Sequence, residues 1–441
     1  MKAFSLLLLL WVGCAAAPRP AVAQLYFPPL NSTAWDTTSA LAADLDSTAF
    51  DSLKTWLEAV NTKAFLVLHR GKIVIEWYLN AHDTTTPWPW NSAGKALTAT
   101  LVGKAQEQGY LSVSDTTSQY LGPGWTSLPD SQERAIQLIH QLTMTTGLDD
   151  GVANANCTDD TCLLRLAAPE TRWAYHNAPY SLLYAVIDSA TGTPTNTYLD
   201  TALLAPIGME GRFTTLGYSH IFRSTARSMA RFGLLIQAGG TWDGTPVLTD
   251  TAYVSAMTRP SQALNPSYGY LWWLNGQSSY QVPGIQFNFP GAFAQTAPSD
   301  LFAGIGKDAQ IVAVVPSQEL VLVRMGDDPG DGSPAPLSFI DSLWKRIVYL
   351  DDPVAQANPS AAPTWQLYPN PATETVHLHL PGADASTRQL PIQVYAADGR
   401  LVRQLTASDG LVSVADWPAG LYTLRITPPT GPALQARLVK R

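Results

Sequence analysis

Two kinds of hydrophobic patterning divide this chain. Between Phe27 and Leu350, runs of period two alternate with stretches of helical spacing. The segment from Ala64 to Tyr78 reads as two strands around a turn at Arg70-Gly71-Lys72: Phe65-Leu66-Val67-Leu68-His69, then Ile73-Val74-Ile75-Glu76-Trp77-Tyr78. Helical spacing predicts helices over 92–108, 136–144, 180–191 and 224–239. Strands are expected again at 301–304, 310–315 and 320–324. Strands near both ends with helices between them predict an α/β sheet built from distant segments, with a helical insertion. Residues 351–364 carry Pro353, Pro359 and Pro363 among Ala, Asn and Ser, which reads as a linker. From about Trp365 the pattern changes to short alternating runs at 376–380, 392–395, 421–426 and 434–439. Turn residues such as Asp398-Gly399 and Ala419-Gly420 separate them, so residues 365–441 are expected to form an all-β, Ig-like sandwich.

The first residues change that picture by adding an export signal. Lys2 precedes an apolar run from Phe4 to Val12, and Ala21-Val22-Ala23 is a small-x-small site ahead of Gln24. Residues 1–23 are therefore read as a signal peptide. Cys14 would suggest a lipoprotein, but bulky Trp11 fits that processing site poorly. No further apolar segment of about 18 residues follows, so no stable transmembrane segment is expected. Length fits two or three domains, at 441 residues, and a formal net charge of −8 argues against nucleic-acid binding. Without the signal, Cys157 and Cys162 remain. An exported compartment permits a disulfide, so a local loop staple is expected. A metal site needs about four ligands, no His or Cys cluster lies nearby, and neither metal nor cofactor is expected.

Candidate chemistry sits at Asn91-Ser92-Ala93-Gly94-Lys95, where a helical run begins. Positions i and i+3 share a helix face, so Ser92 and Lys95 would point into one space. A serine hydroxyl is a poor nucleophile until a neighbouring base takes its proton, and a lysine with a costly ammonium can be that base. Free N–H groups at a helix start also suit a developing oxyanion. Ser-x-x-Lys occurs by chance roughly once in a few hundred residues at average composition. A second copy, Ser342-Leu343-Trp344-Lys345, lies in a late amphipathic run with Phe339, Leu343 and Ile347 on one face. Context separates the two. Ser92 follows the irregular Thr86-Pro87-Trp88-Pro89-Trp90 and precedes Leu97, Leu101 and Ala105 at helical spacing.

These residues resemble the first motif of the β-lactamase and penicillin-binding-protein superfamily of serine hydrolases, especially its esterase and 6-aminohexanoate-dimer hydrolase branches. The resemblance spans nearly the whole stretch from His69-Arg70-Gly71-Lys72 to Val315-Pro316. Trp173-Ala174-Tyr175-His176-Asn177 looks like the second motif, Tyr-x-Asn. Tyr78-Leu79-Asn80 and Tyr368-Pro369-Asn370 share the spelling but not the family's order. Gly306-Lys307-Asp308-Ala309-Gln310 occupies the place of the third motif, with Asp308 and Ala309 departing from the usual pattern. The resemblance implies an antiparallel sheet flanked by helices plus a helical subdomain over 27–350. It implies that Ser92 is the nucleophile and that Lys95, with Tyr175, handles its proton. Asn177 and Lys307 would support the site, and the backbone amides of Ser92 and Gln310 would form the oxyanion hole. Lys95 would need its pKa depressed by burial or by a cation such as Lys307. Trp88, Trp90, Trp173, Trp272 and Trp273 either wall an apolar cleft or pack the core.

The last block resembles the type A C-terminal sorting domain of the type IX secretion system. That likeness is carried by Tyr368-Pro369-Asn370-Pro371-Ala372, Asp398-Gly399-Arg400, Pro418-Ala419-Gly420-Leu421-Tyr422 and the ending Val439-Lys440-Arg441. It implies the type IX machinery as a partner of residues 365–441 and a secreted or cell-surface destination. The expected activity is hydrolysis of an ester or amide bond in a small molecule or short oligomer through an acyl-enzyme on Ser92. A peptidoglycan D,D-peptidase, a β-lactamase and an inactive surface ligand-binding protein of the same fold stand as alternatives.

Overall fold

The computed structural model describes residues 25–330, 336–347, 366–368, 370–379, 389–396, 400–408, 411–426 and 434–440. The assignments made for 1–23 and 351–364 lie outside the described residues.

A six-stranded antiparallel sheet forms the centre. Its strands in chain order are β1 (Thr62–His69), β2 (Lys72–Tyr78), β3 (Trp273–Leu274), β4 (Phe302–Gly306), β5 (Gln310–Val315) and β6 (Leu320–Gly326). The spatial order is β2-β1-β6-β5-β4-β3, so the N-terminal hairpin pairs directly with the last strand. In register, Phe65 and Ile311 both oppose Arg324 across β6. Every residue of β5 and β6 is buried. Such continuous burial, without alternation, means that both faces of the sheet are covered.

Side-chain parity identifies the covers. Val312, Val321 and Val323 share one face. Helix α4 (Ala226–Gln237) lies on that face. A Cβ at Gly233 would stand 2.5 Å from Val321, so only glycine allows this approach. Gly304, opposite Val312, faces Ala96 of helix α1 (Gly94–Glu107), which covers the same side. Arg324 points the other way, over the Phe339 ring of the helix Leu337–Trp344. Trp56 of the helix Phe50–Ala59 stacks on that same Phe339.

The helical subdomain carries a small core of its own, with Trp125, Ile136, Leu148, Leu163 and Ala178 buried together. The helix expected over 180–191 begins earlier and is broken in two: α2 (Asn177–Ser181) and α3 (Leu183–Thr191). The helix expected over 136–144 covers only Leu138–Leu142, and Met144 just beyond it has a left-handed φ of 59° that no helix continues through. A hairpin of Arg212–Leu216 and Ser219–Ser224 was not expected.

The C-terminal block is all-β. Its strands hydrogen-bond as one seven-stranded ladder, with Leu401–Ser408 and Leu411–Ser413 joined at the single pair Ser408–Leu411. The segment between its first two strands also meets the last strand, where the Ala372 amide donates to the Val439 carbonyl at 2.9 Å. The ladder so folded encloses a core of Val376, Ile392, Val394, Val412, Val414, Trp417, Tyr422, Leu424 and Leu438. Cys157 and Cys162 form the expected disulfide. Among the described residues, no helix is long and apolar enough to cross a membrane.

Candidate active site

Ser92 sits in a single turn of 3₁₀ helix, Asn91–Ala93, immediately before α1. Two contacts fix that turn. The Trp90 indole donates to Ser224 Oγ at 2.8 Å, and its ring is fully buried. On the other side runs the end of β4. A Cβ on Gly306 would come within 2.4 Å of the Trp90 carbonyl and 2.9 Å of the Ser92 nitrogen. Glycine at 306 thus lets the strand lie against the serine turn.

One helical turn along, the Lys95 Nζ donates to Ser92 Oγ at 3.0 Å and to Asn177 Oδ1 at 2.9 Å. Lys95 is 4% exposed. Its ammonium lies 4.3 Å from the centre of the Tyr180 ring and 4.9 Å from that of Tyr175. Aromatic faces attract a cation, but by only about 2 kcal/mol when desolvated, less than full removal from water costs. Desolvation therefore wins, and burial lowers the lysine pKa from 10.5 to about 7. Of the two causes anticipated, burial acts and Lys307 does not: Lys307 lies exposed at the cleft.

The phenols around Lys95 move the opposite way. Burial raises the Tyr175 pKa far above its ordinary value, against a smaller opposing effect of the Ser92 hydroxyl beside it. Burial pushes Tyr180 up to about 12. The hydroxyls of Tyr180, Tyr184 and Thr98 close a buried triangle with sides of 2.7, 2.9 and 3.1 Å. At neutral pH the amine is thus ringed by protonated, uncharged phenols.

Asn177 opens α2, which brings the second motif against the first. The cleft above Ser92 is lined by Asn91, Ser92 and Lys95, by Asn177, Tyr180 and Ser181, by Ser219, His220 and Ile221, and by Lys307. Sequence reasoning missed the 219–221 wall, because neither strand of the hairpin carries a hydrophobic run. Gln310 was expected to present its backbone amide here, and its side chain is drawn inward. It pairs with Gly306, is 1% exposed, donates its carboxamide to the Gly326 carbonyl at 2.5 Å and does not line the cleft. Lys307 lines the cleft. The turn 307–309 is held from behind by Arg324, which donates to the carbonyls of Asp308 and Ala309. Asp308 directs its carboxylate toward the Asn91 amide, 3.4 Å away, rather than into the cleft. None of the five tryptophans lines the cleft, and Trp90, Trp173, Trp272 and Trp273 are core residues.

Comparison with known proteins agrees with this architecture. The Beta-lactamase family model matches residues 57–337, and the model of the secretion system C-terminal sorting domain matches residues 366–441. A Bacillus subtilis (strain 168) protein assigned as penicillin-binding protein PbpX is 30% identical over 124 residues, 27% of this chain. That stretch covers only 30% of the length of the Bacillus subtilis protein. A Bacillus anthracis structure assigned as a 6-aminohexanoate-dimer hydrolase is similar at a TM-score of 0.54 and 18% identity, covering 73% of this chain and 87% of its own. A penicillin-binding-protein homologue from Caulobacter crescentus has a TM-score of 0.51 at 14% identity, covering 68% and 98%. EstCE1, a hydrolase with promiscuous acyltransferase activity, has a TM-score of 0.50 at 13% identity, covering 68% and 100%.

Proposed function

Since this chain belongs to the Beta-lactamase family and ends in a secretion system sorting domain, we propose that it is an exported serine hydrolase. It cleaves an ester or amide bond through an acyl-enzyme on Ser92. The observation that carries this reading is the buried Lys95 amine, 3.0 Å from the Ser92 oxygen with its pKa near 7. A base with that pKa is neutral in a large fraction of molecules at neutral pH, which is what removing a serine proton requires.

The steps follow from the groups present. Ser92 Oγ attacks the carbonyl carbon while Lys95 takes its proton. The developing oxyanion accepts from the Ser92 amide and from a second amide in the Gly306–Lys307 stretch, which passes beside it. That stretch replaces Gln310 as the second donor. Tyr175 keeps its proton over the whole neutral range, so it serves as a hydrogen-bond donor and relays the Lys95 proton to the leaving group. Asn177 holds the Lys95 amine against the serine. A water, deprotonated by the same lysine, then releases the acyl group and restores Ser92.

Our division of the chain places the hydrolase in 27–350 and the type IX export signal in 365–441. Removal of residues 365–441 leaves hydrolysis intact and stops release from the cell. The test of the catalytic reading is covalent labelling by an activated-ester phosphonate, expected at Ser92 and abolished in Ser92→Ala. A label that persists in that variant places the nucleophile elsewhere, and an unlabelled parent makes the chain an inactive ligand-binding protein. A panel of p-nitrophenyl esters, aminohexanoate oligomers, D-amino-acid amides and nitrocefin then sorts esterase or amidase from D,D-peptidase and β-lactamase.

A further inference from the structure

We propose that Asn156 is a positioning residue for the Lys95 base, acting through the side chain of Asn177; this rests on the catalytic reading given above. Asn177 carries an acceptor at one end of its amide and donors at the other. Its Oδ1 accepts from Lys95 at 2.9 Å, and its Nδ2 donates to Asn156 Oδ1 at 2.9 Å. Half a turn of that amide would exchange the two ends. The flipped form would aim an NH₂ group at the lysine, donor against donor when Lys95 is an ammonium. When Lys95 is neutral, the same NH₂ would occupy the lone pair that takes the Ser92 proton. With its carboxamide oxygen turned to Asn177, Asn156 accepts, and that favours the working orientation.

Asn156 is exposed, and its place comes from its loop. Its own backbone N–H donates to Asn154 Oδ1 at 3.1 Å, and the Ala155 carbonyl accepts from Ala178 N in α2 at 3.2 Å. The Cys157–Cys162 disulfide closes the next turn. Within that turn, Asp159 accepts from the Tyr218 hydroxyl at 2.6 Å, and Tyr218 adjoins the Ser219-His220-Ile221 stretch of the cleft. The loop is thus tied both to the helix that carries Asn177 and to the hairpin that supplies Ser219, His220 and Ile221 to the cleft.

Loss of the Asn177 carbonyl from the ammonium removes an interaction that favours its charged form, so the Lys95 pKa falls. The other titratable groups near Lys95 are Tyr175 and Tyr180, with His220 and Lys307 also lining the cleft. None of these changes in the test, which follows the Lys95 resonance of the full chain labelled with ¹³C-lysine, assigned by its loss in Lys95→Arg. In Asn156→Ala the titration midpoint drops by about half a pH unit or more, and phosphonate labelling at pH 8 slows roughly fivefold. Asn156→Asp keeps the acceptor and adds a negative charge, so its midpoint rises above the parent's and labelling recovers. Opposite movements of the midpoint are not what simple loosening of a loop produces. An unchanged midpoint in Asn156→Ala, or the same direction of shift in both variants, overturns the proposal. A parent that takes no label sinks the catalytic reading instead, and the Lys95 titration still judges Asn156.

Discussion

The chain spells Ser-x-x-Lys twice, and the two copies live in different surroundings. At Ser92 the motif opens a helix, and its lysine points inward between two tyrosine rings. At Ser342 it closes the helix Leu337–Trp344, and its lysine points outward to pair with Asp341 at 2.6 Å with a side chain 55% exposed. The spacing, and the shared helix face it implies, are common to both. What differs is water. The first ammonium has lost its hydration and sheds its proton near neutrality, whereas the second has both solvent and a carboxylate. The residues that exclude water from the first, Tyr175 and Tyr180, come from a segment about eighty positions away.

The contrast breaks most sharply on deletion of the inner pair. Ser92→Ala or Lys95→Met is expected to reduce ester turnover at least about 10³-fold, since the nucleophile and its base act as one unit. Lys95→Met carries a second signature. The native state holds this lysine at about 7, against 10.5 when it is not buried. Burial therefore destabilises the fold in full below about pH 7, and the penalty fades as pH rises toward 10.5. The variant should melt several degrees above the parent at pH 6, with the gap closing by pH 10. In the parent, kcat/KM should climb with pH through a midpoint near 7. A flat profile between pH 6 and 8 would place the base elsewhere.

Tyr175→Phe is expected to cost less, about 10²-fold in kcat, because it removes one proton relay and leaves serine and lysine in place. Its acid limb should stay near that of the parent, since burial rather than the phenol sets the lysine pKa. A limb that disappears in this variant would make Tyr175 the base.

Much of the site was legible from the chain, and the exceptions share a cause. The sheet hairpin from Thr62 to Tyr78, the buried strands β5 and β6 and helix α4 all announce themselves because each has a strong local period. Ser92, Lys95, Tyr175 and Asn177 were picked out through motif order, and they come together: Ser92, Lys95 and Asn177 line one cleft, with the Tyr175 ring against Lys95. The chain alone suggested Gln310 for the second amide donor, whereas our proposal puts it in the Gly306–Lys307 stretch. A sequence gives the order of residues in the turn 307–309 but not which of them faces Ser92. Left-handed backbone at Asp308 and Ala309, held by Arg324, decides that. His220 and Asn156 were invisible for a related reason: each reaches the site through a partner far away in sequence.

Reduction or replacement of the disulfide tests how far that long-range support extends. Cys157→Ser with Cys162→Ser should lower stability by about 2 kcal/mol, as expected for a short closed loop. Activity should fall a few-fold, because the turn beside Asn156 loosens while Ser92 and Lys95 remain buried where they are. Unaltered kinetics in the doubly substituted chain would mean that the hydrogen bonds to Asn154 and Ala178 hold the loop alone.

The smallest effect belongs to the outer copy of the motif. The Lys345–Asp341 pair is an exposed i,i+4 ion pair, of a kind worth about 0.3–0.5 kcal/mol. Lys345→Met should therefore shift a denaturation midpoint barely beyond error, and less still in high salt, which screens the pair. Ser342→Ala and Lys345→Met should both leave phosphonate labelling at the parent rate. The Ser342 carbonyl accepts from the Arg346 guanidinium at 2.6 Å, and this bond survives both substitutions because it uses neither replaced side chain. Should Lys345→Met instead abolish labelling as Lys95→Met does, then burial would not be what makes this motif reactive, and the assignment of the nucleophile would have to be reopened.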